Sequence, residues 1–142
     1  MLVDANILLY SVDEESPFHE RARDWMVEAL NGPTRVGLPW PCLWAFVRIS
    51  TNPRALASPL TASEACEFVS DWLAAPAAWI PGPGRGHQDI LRKLLLDGDL
   101  RAGLVSDAAI AAIAIEHGLS VISADSDFAR FRDVRWLNPL TD

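Results

Sequence analysis

A sequence of 142 residues, half of them hydrophobic, suffices for one compact domain over residues 1–142 that buries about two-thirds of the surface its unfolded chain exposes. With 19 acidic against 12 basic residues the net charge is −7, which excludes a global basic field for nucleic acid; a polyanion has to be held by local cations or through metal ions. Cys42 and Cys66 lie far apart in apolar surroundings and read as reduced core residues, no stretch approaches the ~20 apolar residues of a membrane span, and the amino terminus lacks the features of a signal peptide, so the expected setting is soluble and cytoplasmic.

The first three residues are an apolar lead of the kind that forms a buried parallel strand, with Asp4 at its carboxyl end and a short segment, residues 5–10, behind it. Ser16 as N-cap and Pro17 at the first helical position open a helix. Its Ala22, Trp25, Met26, Ala29 and Leu30 recur at helical spacing until Asn31-Gly32-Pro33 ends it. Residues 34–38 form a second strand, and Pro39 and Pro41 mark the turn into a helix over 42–51 that is apolar around most of its circumference. Thr61-Ala62-Ser63-Glu64 is a capping box opening the next helix, which Pro76 stops. Trp79-Ile80-Pro81 reads as a strand at an edge or a strand end, residues 83–87 as a loop carrying His87 as a surface histidine, and residues 88–96 as a helix. Asp97-Gly98-Asp99 lacks the remaining ligands of a calcium loop and reads as a turn. Residues 105–107 lead into an alanine-rich helix ended by His117-Gly118; residues 119–124 are a buried strand, Asp125-Ser126-Asp127-Phe128 follows at once, and residues 134–137 are a last strand. Helices and strands alternate throughout, which predicts an α/β architecture with a mainly parallel sheet covered on both faces.

Asp4, Asp107 and Asp125 share a context: each sits where a buried element reaches the surface. Carboxyl ends of parallel strands are where open α/β sheets place ligands. Three unpaired carboxylates in one pocket repel and raise one another's pKa values, a conflict that a divalent cation removes; hard Mg²⁺ or Mn²⁺ prefers such oxygens. Each acid also has a local explanation: a turn at Asp4, the first helical turn and its dipole at Asp107, an Asx turn at Asp125 and Asp127.

Three stretches resemble a known family. Val3-Asp4-Ala5-Asn6-Ile7-Leu8-Leu9-Tyr10, Ser106-Asp107-Ala108-Ala109-Ile110-Ala111-Ala112-Ile113-Ala114 and Val121-Ile122-Ser123-Ala124-Asp125-Ser126-Asp127-Phe128 look like the first, third and fourth acidic motifs of PIN-domain nucleases, most closely the VapC-type toxins of bacterial toxin–antitoxin pairs. The likeness covers essentially the whole chain, including Arg48-Ile49-Ser50-Thr51-Asn52-Pro53-Arg54 and Asn138-Pro139-Leu140. It implies a three-layer α/β/α fold, a homodimer, Mg²⁺- or Mn²⁺-dependent cleavage of structured RNA, and inhibition by a small cognate VapB-type antitoxin. The family commonly has a glutamate in the helix after the second strand; here that position falls on Ala45, and Asp127 is the nearest substitute.

On this reading Asp4, Asp107 and Asp125 hold the metal and Asp127 contributes directly or through water. Asn6 and Ser123 orient the acids, and Arg48, Arg85 and Arg92 are candidate RNA contacts. Ala45 motivates a second reading, a catalytically weakened domain that sequesters antitoxin or RNA. A phosphatase of the haloacid dehalogenase type also begins with strand and Asp, but it needs a second Asp where this chain has Asn6 and a placed lysine, for which only Lys93 is available.

Overall fold

A computed structural model describes residues 1–141. Its strands are β1 (Leu2–Val3), β2 (Val36–Gly37), β3 (Ala78–Trp79), β4 (Val121–Ile122) and β5 (Trp136–Leu137). They form one sheet in the order β3-β2-β1-β4-β5, every neighbouring pair parallel. Around it lie α1 (Ala5–Val12), α2 (His19–Leu30), α3 (Trp40–Ser50), α4 (Ala62–Ala74), α5 (His87–Gly98) and α6 (Gly103–His117), with a 3-10 turn at Ser126–Arg130. This is the three-layer α/β/α arrangement that the alternation predicts.

The strands are shorter than their apolar runs because flanking residues also join the ladder: Leu2 N–H donates to Ser120 C=O at 2.8 Å and Asp4 N–H to Ile122 C=O at 2.9 Å. Alternation along each strand divides the core between the two faces. Val3, Val36 and Ile122 pack with Ile7, Leu8, Met26, Leu43 and Phe46 from the α1–α4 layer, whereas Leu2 and Val121 pack with Ala111, Ile113, Ala114 and Phe128 from the other. Phe46 is fully buried between the rings of Phe68 and Trp72, and truncating such a residue to alanine costs about 3–5 kcal/mol. The alanines of α6 let that helix lie close to the sheet: Ala108, Ala111, Ala112 and Ala114 are all fully buried. Gly37 is required where β2 crosses beneath Pro81, since a Cβ there would meet Pro81 Cγ at 2.8 Å and Met1 O at 3.0 Å.

Several boundaries differ from the sequence expectation. The second helix begins at His19, not Pro17, because Ser16 Oγ accepts the Phe18 N–H at 3.1 Å in a local turn instead of capping. Pro41 lies inside the first turn of α3, where its missing N–H costs nothing. The capping box at Thr61 and Glu64 is present in both directions. Strand β3 is at the sheet edge, with Pro81 beyond it. Cys66 is exposed, so only Cys42 is a core thiol. His87 is half-buried at the start of α5, with Nδ1 enclosed and without a partner, rather than a plain surface histidine. No helix among the described residues is long and apolar enough to cross a membrane.

Candidate metal centre

Asp4 follows β1 directly and is the N-cap of α1, its Oδ1 accepting the Ala5 N–H at 2.8 Å. The turn at this residue therefore exists, and it leaves Oδ2 facing the neighbouring strand. There Ser123, just past β4 and fully buried, donates its hydroxyl to Asp4 Oδ2 at 2.8 Å. Asn6 Nδ2 donates to the same oxygen at 3.2 Å and to Ser123 Oγ at 3.0 Å, while Asn6 Oδ1 accepts the Ala124 N–H at 3.1 Å. Asn6 and Ser123 thus fix Asp4 and tie the ends of β1 and β4 together. Burial still pushes the Asp4 carboxyl above its ordinary range, opposed by the Ser123 and Ala5 hydrogen bonds and reinforced by the charge of Asp125.

Asp125 has its N–H bonded to Ser123 Oγ at 3.0 Å, and its Oδ1 accepts the Asp127 N–H at 2.9 Å. The Asx turn therefore exists too, and it sets the direction of both carboxylates. Asp107 departs from expectation. Helix α6 starts at Gly103, so Asp107 lies in the second turn, and the free N–H groups of the helix start do not account for it. The helix is instead entered through Ala102, whose φ of 52° places a non-glycine residue in a costly region.

Asp107, Asp125 and Asp127 each offer a carboxylate oxygen within 4.8 Å of the others. Asp127 is thus a full member of the cluster, and Asp4 adjoins it through Asp125 and Asp107. Burial first, then the charges of Asp125, Asp4 and Asp127, push the Asp107 carboxyl up to about 6, with Arg130 opposing. An all-oxygen set of closely spaced carboxylates, in which neighbouring charge and burial hold Asp107 above its ordinary range, fits a hard divalent cation by the chemistry of its donors.

Other neighbours of the cluster have little or no signal in the sequence. Cys42, in the first turn of α3, places Sγ 3.9 Å from Asp4 Oδ1, and burial followed by the Asp4 charge pushes its thiol well above the usual range. Arg130 Nη2 lies 3.3 Å from Asp127 Oδ1; the i,i+3 spacing is the available signal. Trp136 Nε1 donates to Ser123 C=O at 2.9 Å, a bond that nothing in the sequence announces. Ala45, three residues beyond Cys42, is half-buried and brings no carboxylate. Arg48, Arg85 and Arg92 are exposed. Arg85 lies beside the Glu116 end of α6, where Glu116 accepts the Gly84 and Gly86 N–H groups, about 13 Å along the helix axis from Asp107 at 1.5 Å per residue.

A PIN-domain family model matches residues 1–134. The chain is 46% identical over 138 residues to Ribonuclease VapC37 of Mycobacterium tuberculosis, covering 97% of this chain and 96% of that protein. It is 39% identical over 142 residues to Ribonuclease VapC33 of the same organism, covering 100% and 99%. In solved structures the fold is similar to VapBC-1 from nontypeable Haemophilus influenzae, with a TM-score of 0.69 at 14% identity over 99% of this chain and 98% of that one. It is also similar to VapBC2 from Rickettsia felis bound to a promoter DNA fragment, with a TM-score of 0.68 at 15% identity over 96% of each chain.

Proposed function

The chain belongs to the PIN-domain family, and from that premise we propose that it is a VapC-type toxin, an Mg²⁺- or Mn²⁺-dependent endoribonuclease that hydrolyses phosphodiester bonds in structured RNA. The observation that carries the reading is the convergence of Asp107, Asp125 and Asp127 beside Asp4 at the carboxyl edge of the sheet. The likeness of its fold to the toxin chains of solved VapBC assemblies supports a small VapB-type antitoxin as its partner. A homodimer and a cytoplasmic setting belong to the same proposal.

Asp107, Asp125 and Asp127, with Asp4 adjoining, would hold a divalent cation, which when bound would acidify a water and offset charge on the scissile phosphate. The rest is the work of the chain's own groups. Ser123 and Asn6 hold Asp4 in one rotamer, so its carboxylate needs no reorganisation when charge arrives. Asp125 Oδ1 accepts the Asp127 N–H, which fixes the direction in which the two carboxylates present their oxygens. Arg130 adjoins Asp127 and sets a cation at the edge of the carboxylate cluster. Asn6 is committed to Ser123 and Ala124, so it is no stand-in for the second aspartate of a phosphatase.

The test is cleavage of total RNA with Mg²⁺ or Mn²⁺, compared with chelator and with Asp107→Asn. Cleavage by the parent chain alone, and only with metal, is expected; equal cleavage by the variant removes Asp107 from the reaction. Ala45 supports the second reading, a weakened domain that sequesters antitoxin or RNA. Calorimetric titration with Mn²⁺ separates the two, since absence of measurable binding favours sequestration.

A further inference from the structure

Beside the carboxylates, a cleft of about 630 Å³ opens between the end of α5 and the turn that follows β4. Its walls include Lys93, Arg130 and Arg132, together with Asp97, Asp133 and Phe131. Three of the twelve basic residues of a chain carrying a net charge of −7 therefore converge on one cleft. Arg130 belongs to both places: it lines the cleft, and its Nη2 lies 3.3 Å from Asp127 Oδ1 within the acidic cluster. Two acids, Asp97 and Asp133, share the walls with these three cations. Lys93 Nζ lies 3.9 Å from Asp133 Oδ2 with both side chains more than 60% exposed, a loose surface pair that a phosphate readily displaces. Arg132 is exposed at the rim.

We infer that this cleft is a phosphate subsite of the nuclease, in which Lys93, Arg130 and Arg132 hold a backbone phosphate of the RNA strand next to the one at the carboxylates. The inference rests on the ribonuclease reading of the adjoining cluster and adds the place where the flanking strand lies. The chain's overall charge repels RNA, so its affinity must come from local cations, and these sit where a strand leaving the carboxylates would pass. Arg132 and Arg130 suit the forked geometry of a phosphate, and Lys93 supplies a point charge.

The probe is a fluorescein-labelled oligouridylate, titrated by anisotropy in Ca²⁺ at several salt concentrations. The double variant Lys93→Ala/Arg132→Ala is expected to bind about tenfold more weakly. Its slope of log K against log salt should be shallower by about 0.7, as expected when one fewer phosphate of a single strand is neutralised. Arg132→Lys, which keeps the charge, should keep the slope. Both positions are exposed, so unchanged thermal unfolding is expected and controls for folding. Equal affinity and slope in the double variant, or no RNA binding by the parent chain, overturns the subsite. Incubation of the same preparations with total RNA and Mn²⁺ keeps the two ideas apart: binding that depends on Lys93 and Arg132 without any cleavage sinks the ribonuclease reading and leaves the subsite standing.

Discussion

Ser123 donates its hydroxyl hydrogen to Asp4 Oδ2 across 2.8 Å, and the serine oxygen in turn accepts from Asn6 Nδ2 and from the Asp125 N–H, both at 3.0 Å. One donor and two lone pairs are the full capacity of a serine hydroxyl, and all are spent in a fully buried position. Ser123→Ala therefore removes three hydrogen bonds at once, leaving the Asp125 N–H without its acceptor while Asn6 and Asp4 keep only their bond to each other, and should destabilise the fold by about 2 kcal/mol. Chemical denaturation with an unchanged m-value checks it. Loss of the Ser123 bond also removes an influence that lowers the Asp4 carboxyl, so its titration should move further upward.

In metal-free protein Asp107 gives a pH dependence of defined sign. Its folded carboxyl titrates at about 6, above the ordinary 3.8, so the fold binds that proton more tightly than the unfolded chain does. The ionised form is a penalty that is complete above pH 6 and fades as pH falls through 6 towards 4. Asp107→Asn should then be more stable than the parent chain at pH 7.5, by about 1 kcal/mol once solvent screening of a half-exposed group is allowed for, and no more stable near pH 4. Parallel thermal melts in chelator at the two pH values decide it; a difference independent of pH excludes Asp107 as its source.

Metal should reverse that order. A cation that binds only the folded chain stabilises it by about 2.7 kcal/mol at a hundred times its dissociation constant. Mn²⁺ should therefore raise the melting temperature of the parent chain and leave Asp107→Asn and Asp125→Asn nearly unmoved. Chelator should return the parent to its starting value.

Ala45 invites the opposite substitution. It is half-buried on α3, one turn from Cys42, whose sulfur touches Asp4. Ala45→Glu should add a carboxylate to the set and tighten Mn²⁺ binding about tenfold, roughly 1.4 kcal/mol, in a calorimetric titration. Unchanged affinity would mean that this side of α3 does not face the ion.

Ala102 enters α6 with φ 52° and ψ −126°, the conformation of the first central residue of a type II′ turn and one that glycine adopts freely. Ala102→Gly should relieve more strain than it costs in unfolded-chain entropy and stabilise by about 0.5–1 kcal/mol. A higher denaturation midpoint with unchanged metal affinity is expected.

The parallel α/β architecture was legible because buried parallel strands and capped amphipathic helices leave local traces: the apolar lead before Asp4, the Thr61-Glu64 box, the glycine after His117. The start of α6 was not. Residues 103–106 carry no capping side chain, and what begins the helix is an unusual backbone conformation at Ala102, which composition does not signal. Asp4, Asp107 and Asp125 could be singled out from context, but the full membership of Asp127 depended on how an Asx turn aims its carboxylate. Arg130 joins through local spacing, whereas Cys42 and Trp136 reach the site by tertiary packing that no short window contains. Lys93, Arg130 and Arg132 line a cleft together through the packing of α5 against the turn after β4, which no short window of sequence contains.

The central strand of the sheet, β1, is the first to be made, yet its partner β4 comes 119 residues later, and just beyond their ends lie Asp4 and the Ser123 that fixes it. Long-range parallel pairing of this kind closes late in folding. A growing chain at the ribosome therefore has no assembled carboxylate cluster until its last strands have emerged, and a product truncated before residue 121 lacks Asp125 and Asp127 altogether.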